Sequence, residues 1–483
     1  MVTYGGSNSG GNDFRGAHGQ ARRRTDTLTR REILKNAGLA ALGAAAALAL
    51  ANCGSTSPTV PASPAQTGPT GASVSSAEAT TANSSVAARA TVGKRVTLSV
   101  ANYQWTQDGF REFYQQSSAA FASSVGNVEI EQIATAKGQF GDKMLTSVRA
   151  GDPPDLIMFD PILAQLIEGG ELEPLDKWMD KTQIKQTWGP LQKTWPVSNG
   201  ETYGLIVMAT TWNEVYYNKR LFAEAGINDP PKTIDEFFDA AQKLTKGDQF
   251  GLGTSTKQSP EQQLFQDLSE YLFAFGGQWG ANGKIDLTDP QVITSLKFYN
   301  KLYQAGVSPK NLDTSQWRQI FTDGKIGMII DGPWQLVPTL KNPAMQQDLG
   351  VALMPTSATK RKSVAATNTQ MIPKKAKNKE LAWEYLAFIA QPEWQKKFFE
   401  LTLSPPGMAD VVPDGLFTKH PWLATFVESA KYAEASAPNG LYQYAPQIAM
   451  AVAEHAANVF VGGKSADAEM AAAQKDLQDI LKV

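Results

Sequence analysis

Past residue 93 the apolar positions alternate between two spacings. Val96-Thr97-Leu98-Ser99-Val100 is a short β-rich run. Over 109–122, Phe110, Phe113, Tyr114 and Phe121 recur at helical spacing and share one side. Val128-Glu129-Ile130-Glu131-Gln132-Ile133 alternates like a half-buried strand, 140–150 is helical, and Asp155-Leu156-Ile157-Met158-Phe159 reads as a buried strand. This β-α-β-α-β order predicts an open, mostly parallel α/β sheet. Ligands of such sheets sit beyond the carboxyl ends of the strands. Residues 102–108 and Asp160-Pro161 are therefore the first places to look for a site. Later signals are a capped helix at Thr233, after Pro230-Pro231-Lys232, and a helix start at Asn378-Lys379-Glu380. Gly332-Pro333 marks a turn after a buried strand over 326–330.

The first 93 residues follow neither spacing. An uncharged run of Ala, Gly and Leu, bounded by Asn36 and Asn52, lies behind a basic flank and is too short for a membrane span. Residues 54–93 are Ser, Thr, Ala, Pro and Gly, with only Glu78 and Arg89 charged. Such a segment buries too little apolar surface to offset its ordering entropy. It reads as a tether spanning about 35 Å by random-coil scaling.

Charge and cysteine content narrow the chemistry. Residues 1–52 hold seven basic and three acidic side chains; the rest carries 38 basic against 44 acidic, a net of −6. That balance gives no reason to expect a nucleic-acid partner. Cys53 is the only cysteine, so no intrachain disulfide forms and the fold rests on its core. Beyond residue 52 the histidines are His420 and His455, far apart in sequence. No nucleophile elbow, zinc-protease helix, P-loop or dinucleotide fingerprint is found. No cofactor and no metal are expected.

Three resemblances sharpen this reading. Thr29-Arg30-Arg31-Glu32-Ile33-Leu34-Lys35 resembles a twin-arginine export motif, with Arg30 and Arg31 its signal. Leu50-Ala51-Asn52-Cys53 resembles a lipobox, which implies acylation of Cys53; ordinary cleavage after Ala51 is the alternative. In the folded part, Ala150-Gly151-Asp152-Pro153-Pro154-Asp155-Leu156 and Gly169-Gly170-Glu171-Leu172-Glu173-Pro174-Leu175-Asp176 resemble the solute-binding proteins of ABC importers, the maltose-binding-protein-like sugar branch best. Val215-Tyr216-Tyr217-Asn218-Lys219-Arg220-Leu221-Phe222, Phe321-Thr322-Asp323-Gly324-Lys325-Ile326-Gly327-Met328, Asp331-Gly332-Pro333-Trp334 and the helix from Asn378 continue the match in the family's order, over about 95–482.

The resemblance implies an α/β, two-lobed, type II periplasmic-binding-protein-like fold, each lobe a mostly parallel sheet flanked by helices. The hinge would be crossed near 205–210, 353–360 and 401–408. The expected division is 1–52 signal peptide, 53–93 tether, 94–208 and 358–403 first lobe, 209–357 and 404–483 second lobe. It implies a non-enzymatic monomer outside the cytoplasmic membrane, lipid-anchored through Cys53, passing a small carbohydrate to ABC permease subunits. A secreted glycan hydrolase, or a receptor for a polyol, glycerol phosphodiester or polyamine, are the rival readings.

A neutral sugar offers hydroxyls and apolar C–H faces, so its site needs flat aromatic rings with amides and carboxylates. Where the family places its ligand contacts, this chain has Trp105, Trp212, Trp279 and Trp334, with Tyr442 and Tyr444 near the C-terminus. The polar candidates are Gln104, Asp108, Asp160, Asn213, Asp331 and Asn368. Core packing is the competing role for each tryptophan. Trp178, Trp188, Trp195, Trp383, Trp394 and Trp422 read as structural. Many relatives are glycine-rich after the second crossing; here the chain reads Val364-Ala365-Ala366-Thr367-Asn368-Thr369-Gln370, putting side-chain polarity where backbone contacts would be.

Overall fold

Strand β1 (Val96–Asn102) buries its C-terminal half, and helix α1 (Phe110–Val125) turns back over it with Phe110, Phe113, Tyr114 and Phe121 inward. The computed structural model describes residues 95–182, 184, 192, 195–257, 262–408, 411–438 and 441–481. The export motif with Arg30 and Arg31, Cys53, the tether and Trp188 lie outside the described residues. The turn into α1 needs Gly109: its φ is +79°, and a Cβ there would lie 2.4 Å from the Leu401 carbonyl oxygen. Strand β2 (Val128–Ile133) pairs in parallel with β1, Val96 opposite Val128. Helix α2 (Lys137–Ala150) leads to β3 (Leu156–Met158), parallel to β1 on its other side.

Strand β4 (Leu205–Thr211) leaves this sheet and continues after two residues as β5 (Glu214–Asn218) of a second sheet. There follow α3 (Ile234–Leu244), β6 (Phe250–Gly253), α4 (Gln262–Ala274), α5 (Pro290–Gln304), α6 (Thr314–Thr322), β7 (Ile326–Asp331), α7 (Leu336–Leu340) and β8 (Leu349–Leu353). The chain returns to the first sheet as β9 (Ser363–Met371), then forms α8 (Lys379–Ile389) and α9 (Pro392–Thr402). It ends with α10 (Leu423–Ala430), β10 (Ala433–Glu434), α11 (Ala445–Phe460) and α12 (Ala466–Leu481).

The first sheet runs β10-β9-β3-β1-β2 with β4 also on β9; the second runs β8-β5-β7-β6. Both are mixed. Pairs β1–β2, β1–β3, β9–β10 and β6–β7 are parallel, whereas β3–β9, β4–β9, β5–β7 and β5–β8 are antiparallel. The expected parallel order holds where a helix separates consecutive strands. Strands that arrive from the other lobe have no crossover helix to impose direction, and they enter antiparallel.

Helix starts carry their own chemistry. Thr233 Oγ1 accepts the Glu236 N–H at 3.1 Å, and Glu236 Oε2 accepts the Thr233 N–H at 3.3 Å, a reciprocal cap for α3. Before α8, Asp155 accepts the Asn378 N–H at 2.8 Å and the Ser99 N–H at 2.9 Å, joining β1, β3 and α8 through one buried carboxylate. Each sheet has apolar packing on both faces. Phe113, Tyr114, Tyr385 and Phe398 lie on one side of the first and Phe140, Met144 and Phe159 on the other. The largest core lies between the second sheet and helices α4, α5, α11 and α12.

Candidate functional site

Segments that cross between sheets gather the polar residues. Strand β9 pairs antiparallel with β4 from Ala365 opposite Thr211 to Gln370 opposite Leu205, with an irregularity at Asn368/Thr369. The 404–408 segment runs beside β4, the Gly407 N–H donating to the Val207 carbonyl at 2.8 Å. A Cβ on Gly407 would sit 1.9 Å from the Ile206 carbonyl oxygen, so only glycine allows this approach. Beside these crossings a narrow slot, about 270 Å³ including its mouth, separates the lobes.

The second lobe supplies most of the slot wall. From α4 come Gln263, Gln266 and Glu270, spaced three and four apart so that they share one face. From α6 come Trp317 and Arg318, from β7 Asp331, and beyond it Trp334. Trp212, at the β4–β5 junction, lies with its ring 6.2 Å from that of Trp334 at 76°. Trp334 also packs against apolar residues of the first lobe's core. Lys137, the first residue of α2, reaches in from the first lobe. Lys137 is exposed as a residue, yet burial of its ammonium end, helped by Arg318, lowers its pKa to about 8.

Arg318 and Asp331 form a bidentate pair, Nε to Oδ2 at 2.5 Å and Nη2 to Oδ1 at 2.7 Å, and the Gly332 N–H donates to Oδ1 at 2.8 Å. The indole N–H groups of Trp212 and Trp317 are buried and have no acceptor among the described residues. Glu270, 6% exposed, has no donor among them either. Burial, with Asp267 and Asp331 nearby, holds its carboxyl well above the usual carboxylate range. Unpaired buried donors and acceptors are costly, so this slot is arranged for a hydroxylated or otherwise polar occupant.

Of the residues proposed from sequence, Trp212, Asp331 and Trp334 line the slot. Asp160 sits nearby with its carboxylate already engaged: it accepts from Thr367 Oγ1 at 2.7 Å, Thr369 N at 3.0 Å, Thr369 Oγ1 at 2.6 Å and Trp195 Nε1 at 3.1 Å. Burial nevertheless raises its pKa. Asn368 is buried within β9 and accepts from the Tyr103 hydroxyl at 3.3 Å. Gln104 is buried in the turn after β1, and its Oε1 has no partner among the described residues; Trp105 packs on the first lobe's core. Asn213 accepts the Val364 N–H at 3.3 Å.

Trp279 is elsewhere. It is 2% exposed inside the second core, stacked on Phe265 at 5.0 Å, its N–H donated to Ser269 Oγ at 2.8 Å. Asp108 pairs with Lys341 across the lobes at 2.6 Å. Tyr444 packs on the second core, whereas the Tyr442 ring is 5.4 Å from Trp195 of the opposite lobe. Trp195, read as structural from sequence, thus bridges Asp160 and Tyr442. Lys137, Gln263, Gln266, Glu270, Trp317, Arg318 and Ile330 are the slot residues that sequence reasoning missed. A fully apolar strand ending in Asp331 was the available hint that a cation had to lie nearby.

Two lobes joined by crossing strands thus hold a polar, aromatic slot between them. The chain belongs to the bacterial extracellular solute-binding protein family, which it matches over residues 116–425. A binding protein of Brucella abortus (strain 2308) is 32% identical over 267 residues, 53% of this chain and 63% of that protein. The diacetylchitobiose-binding protein of Streptomyces coelicolor is 27% identical over 52% of this chain and 60% of its own length. The chain thus spans somewhat less than two thirds of these curated relatives. An ABC transporter solute-binding protein from Thermotoga lettingae, solved with α-D-tagatose, has a TM-score of 0.73 at 24% identity, covering 80% of this chain and 100% of that one. This likeness establishes the fold as type II periplasmic binding protein. Among the described residues no helix is long and apolar enough to cross a membrane.

Proposed function

We propose that the protein is the solute-binding component of an ABC importer and captures a carbohydrate between its lobes. One observation carries this reading: three indoles, two with unpaired buried N–H groups, surround the same slot as the unpaired Glu270 carboxyl and Gln266. Indole faces suit sugar C–H faces, and convergent donors and acceptors suit hydroxyls. Trp212, Trp317 and Trp334 are the aromatic contacts in this reading, with Glu270, Gln266 and the Arg318–Asp331 pair as polar ones. The family membership and the diacetylchitobiose-binding relative support it. Lys137 faces the same slot from the first lobe, so a ligand held there touches both lobes and favours the closed form, which a permease then recognises.

The same reading makes the protein a receptor without catalysis, exported and tethered through acylated Cys53. Attachment needs more than one acyl chain to be stable. The tether keeps the lobes near a permease at high effective concentration. The test is a sugar panel titrated into the purified protein, followed by thermal stability and product analysis. Saturable stabilisation with sugar recovered intact is expected; turnover of a glycan assigns it to the hydrolases instead. N-terminal mass spectrometry tests the anchor, since an unmodified start at Asn52 removes it and leaves export intact.

A further inference from the structure

Two carboxyls, Glu270 and Asp331, line the slot's second-lobe wall, and Glu214 and Asp267 are buried close enough to act on Glu270. The charged groups that act on Glu270 are the other three carboxyls and one guanidinium, Arg318. Arg318 is committed to Asp331 by two hydrogen bonds. Asp267 accepts the Ser255 N–H at 3.0 Å and Gln263 Nε2 at 2.9 Å, and Glu214 accepts the Thr211 hydroxyl at 2.5 Å. Glu270 alone of the four has no donor among the described residues, and it lines the slot. Lys137, the other cation at the slot, acts on Arg318 and Asp331.

We infer that Glu270 is the seat for a basic nitrogen of the bound carbohydrate, so that the preferred ligands are amino sugars with a free, protonated amine. The inference rests on the carbohydrate reading of the same slot. Burial and the neighbouring carboxyls favour the protonated form of Glu270 in the ligand-free protein. A sugar hydroxyl would give that carboxyl one hydrogen bond, whereas an ammonium group brings up to three donors and a positive charge that favours the carboxylate. The indoles of Trp212 and Trp334 beside it add cation–π attraction. Acetylation of the amine removes both charge and two donors, so the site discriminates against the acetylated sugar.

The experiment is calorimetric titration of the full chain at pH 7 with glucosamine and its β-1,4-linked dimer, their N-acetylated forms, glucose, cellobiose, choline and putrescine. The free-amine sugars are expected to bind at least about tenfold more tightly than their neutral or acetylated counterparts. Glu270→Gln should remove that preference, so that the free-amine sugars bind no more tightly than their neutral counterparts. Glu270→Asp, which keeps the carboxyl, should retain the preference and guards against a variant that fails to fold. Equal or tighter binding of the neutral sugars rejects the amine seat and leaves the carbohydrate reading standing. Binding of choline or putrescine alone rejects the carbohydrate and keeps Glu270 as a cation site. Binding of none of these overturns both.

Discussion

Trp279 and Trp334 carry the same side chain in opposite settings. Trp279 is enclosed by the second core, with its N–H satisfied by Ser269. Trp334 is partly buried at the slot, lying over Gly332, where an added Cβ would meet its ring at 2.3 Å. Trp279→Ala is therefore expected to cost about 3–5 kcal/mol of folding stability and leave affinity per folded molecule unchanged. Trp334→Ala should instead weaken sugar binding by about 1–3 kcal/mol and disturb ligand-free stability less. Urea titration and calorimetry on the two variants separate the roles; a reversed pattern exchanges the assignments. Sequence alone could not distinguish them, because both follow glycine-containing turns and tryptophan serves cores and ligand faces equally well.

Among elements, β5 shows how a central strand sets a side chain's chemistry. It lies between β7 and β8, with Glu214 opposite Asp331 on one side and Leu353 on the other. Burial raises the Glu214 pKa to about 7, despite hydrogen bonds from Ser429 and Thr211, and the Asp331 charge adds to the rise. A carboxyl raised in the folded state binds more protons there than in the unfolded chain, so stability falls as pH rises from about 4.5 towards 7. The loss from this one group is on the order of 2–3 kcal/mol. Glu214→Gln should flatten the decline across that window; equal slopes in melting temperature for variant and wild type exclude Glu214 as its source. Val215-Tyr216-Tyr217-Asn218 was legible in the sequence as a segment of the family resemblance. Its antiparallel partners were not, because they are brought by chain segments more than a hundred residues away.

At the scale of the molecule, one contact between the lobes is an ion pair. Asp108 of the first lobe pairs with Lys341, just after α7 of the second, at 2.6 Å and with Arg111 at 2.5 Å. The Lys341 bond, opposed by burial and aided by Arg111, holds the Asp108 carboxyl below its usual range. Its contribution to closure is thus present above the ordinary carboxylate range and lost as pH falls through the lowered value. Both partners reach solvent, so the pair is worth about 0–1 kcal/mol and weakens with salt. Lys341→Ala should enlarge the ligand-free radius of gyration at low ionic strength, and saturating ligand should abolish the difference. Scattering curves that coincide before ligand addition rule out a role in closure.

Local pattern determined a great deal. The alternation over 128–133, the apolar stripe of α1, the Thr233 cap and the Asn378 start are set by neighbours within a turn or a strand, and they appear in the structure where the spacing puts them. The start of α2 is one exception: Ala136 gives no side-chain cap, so the helix begins three residues before the apolar stripe, and Lys137 goes unnoticed. The slot needed tertiary structure. Gln263, Gln266 and Glu270 read equally well as a solvent face, Arg318 as a surface residue beside Trp317, and Asp160 as a free carboxylate. Each role is decided by what a distant segment brings against it: Lys137 from the other lobe, Asp331 beside Arg318, Thr367 and Thr369 around Asp160. Periodicity records which face of an element is buried, but not whether a polar face meets water, a partner charge or a ligand; only the folding of one lobe against the other makes that choice.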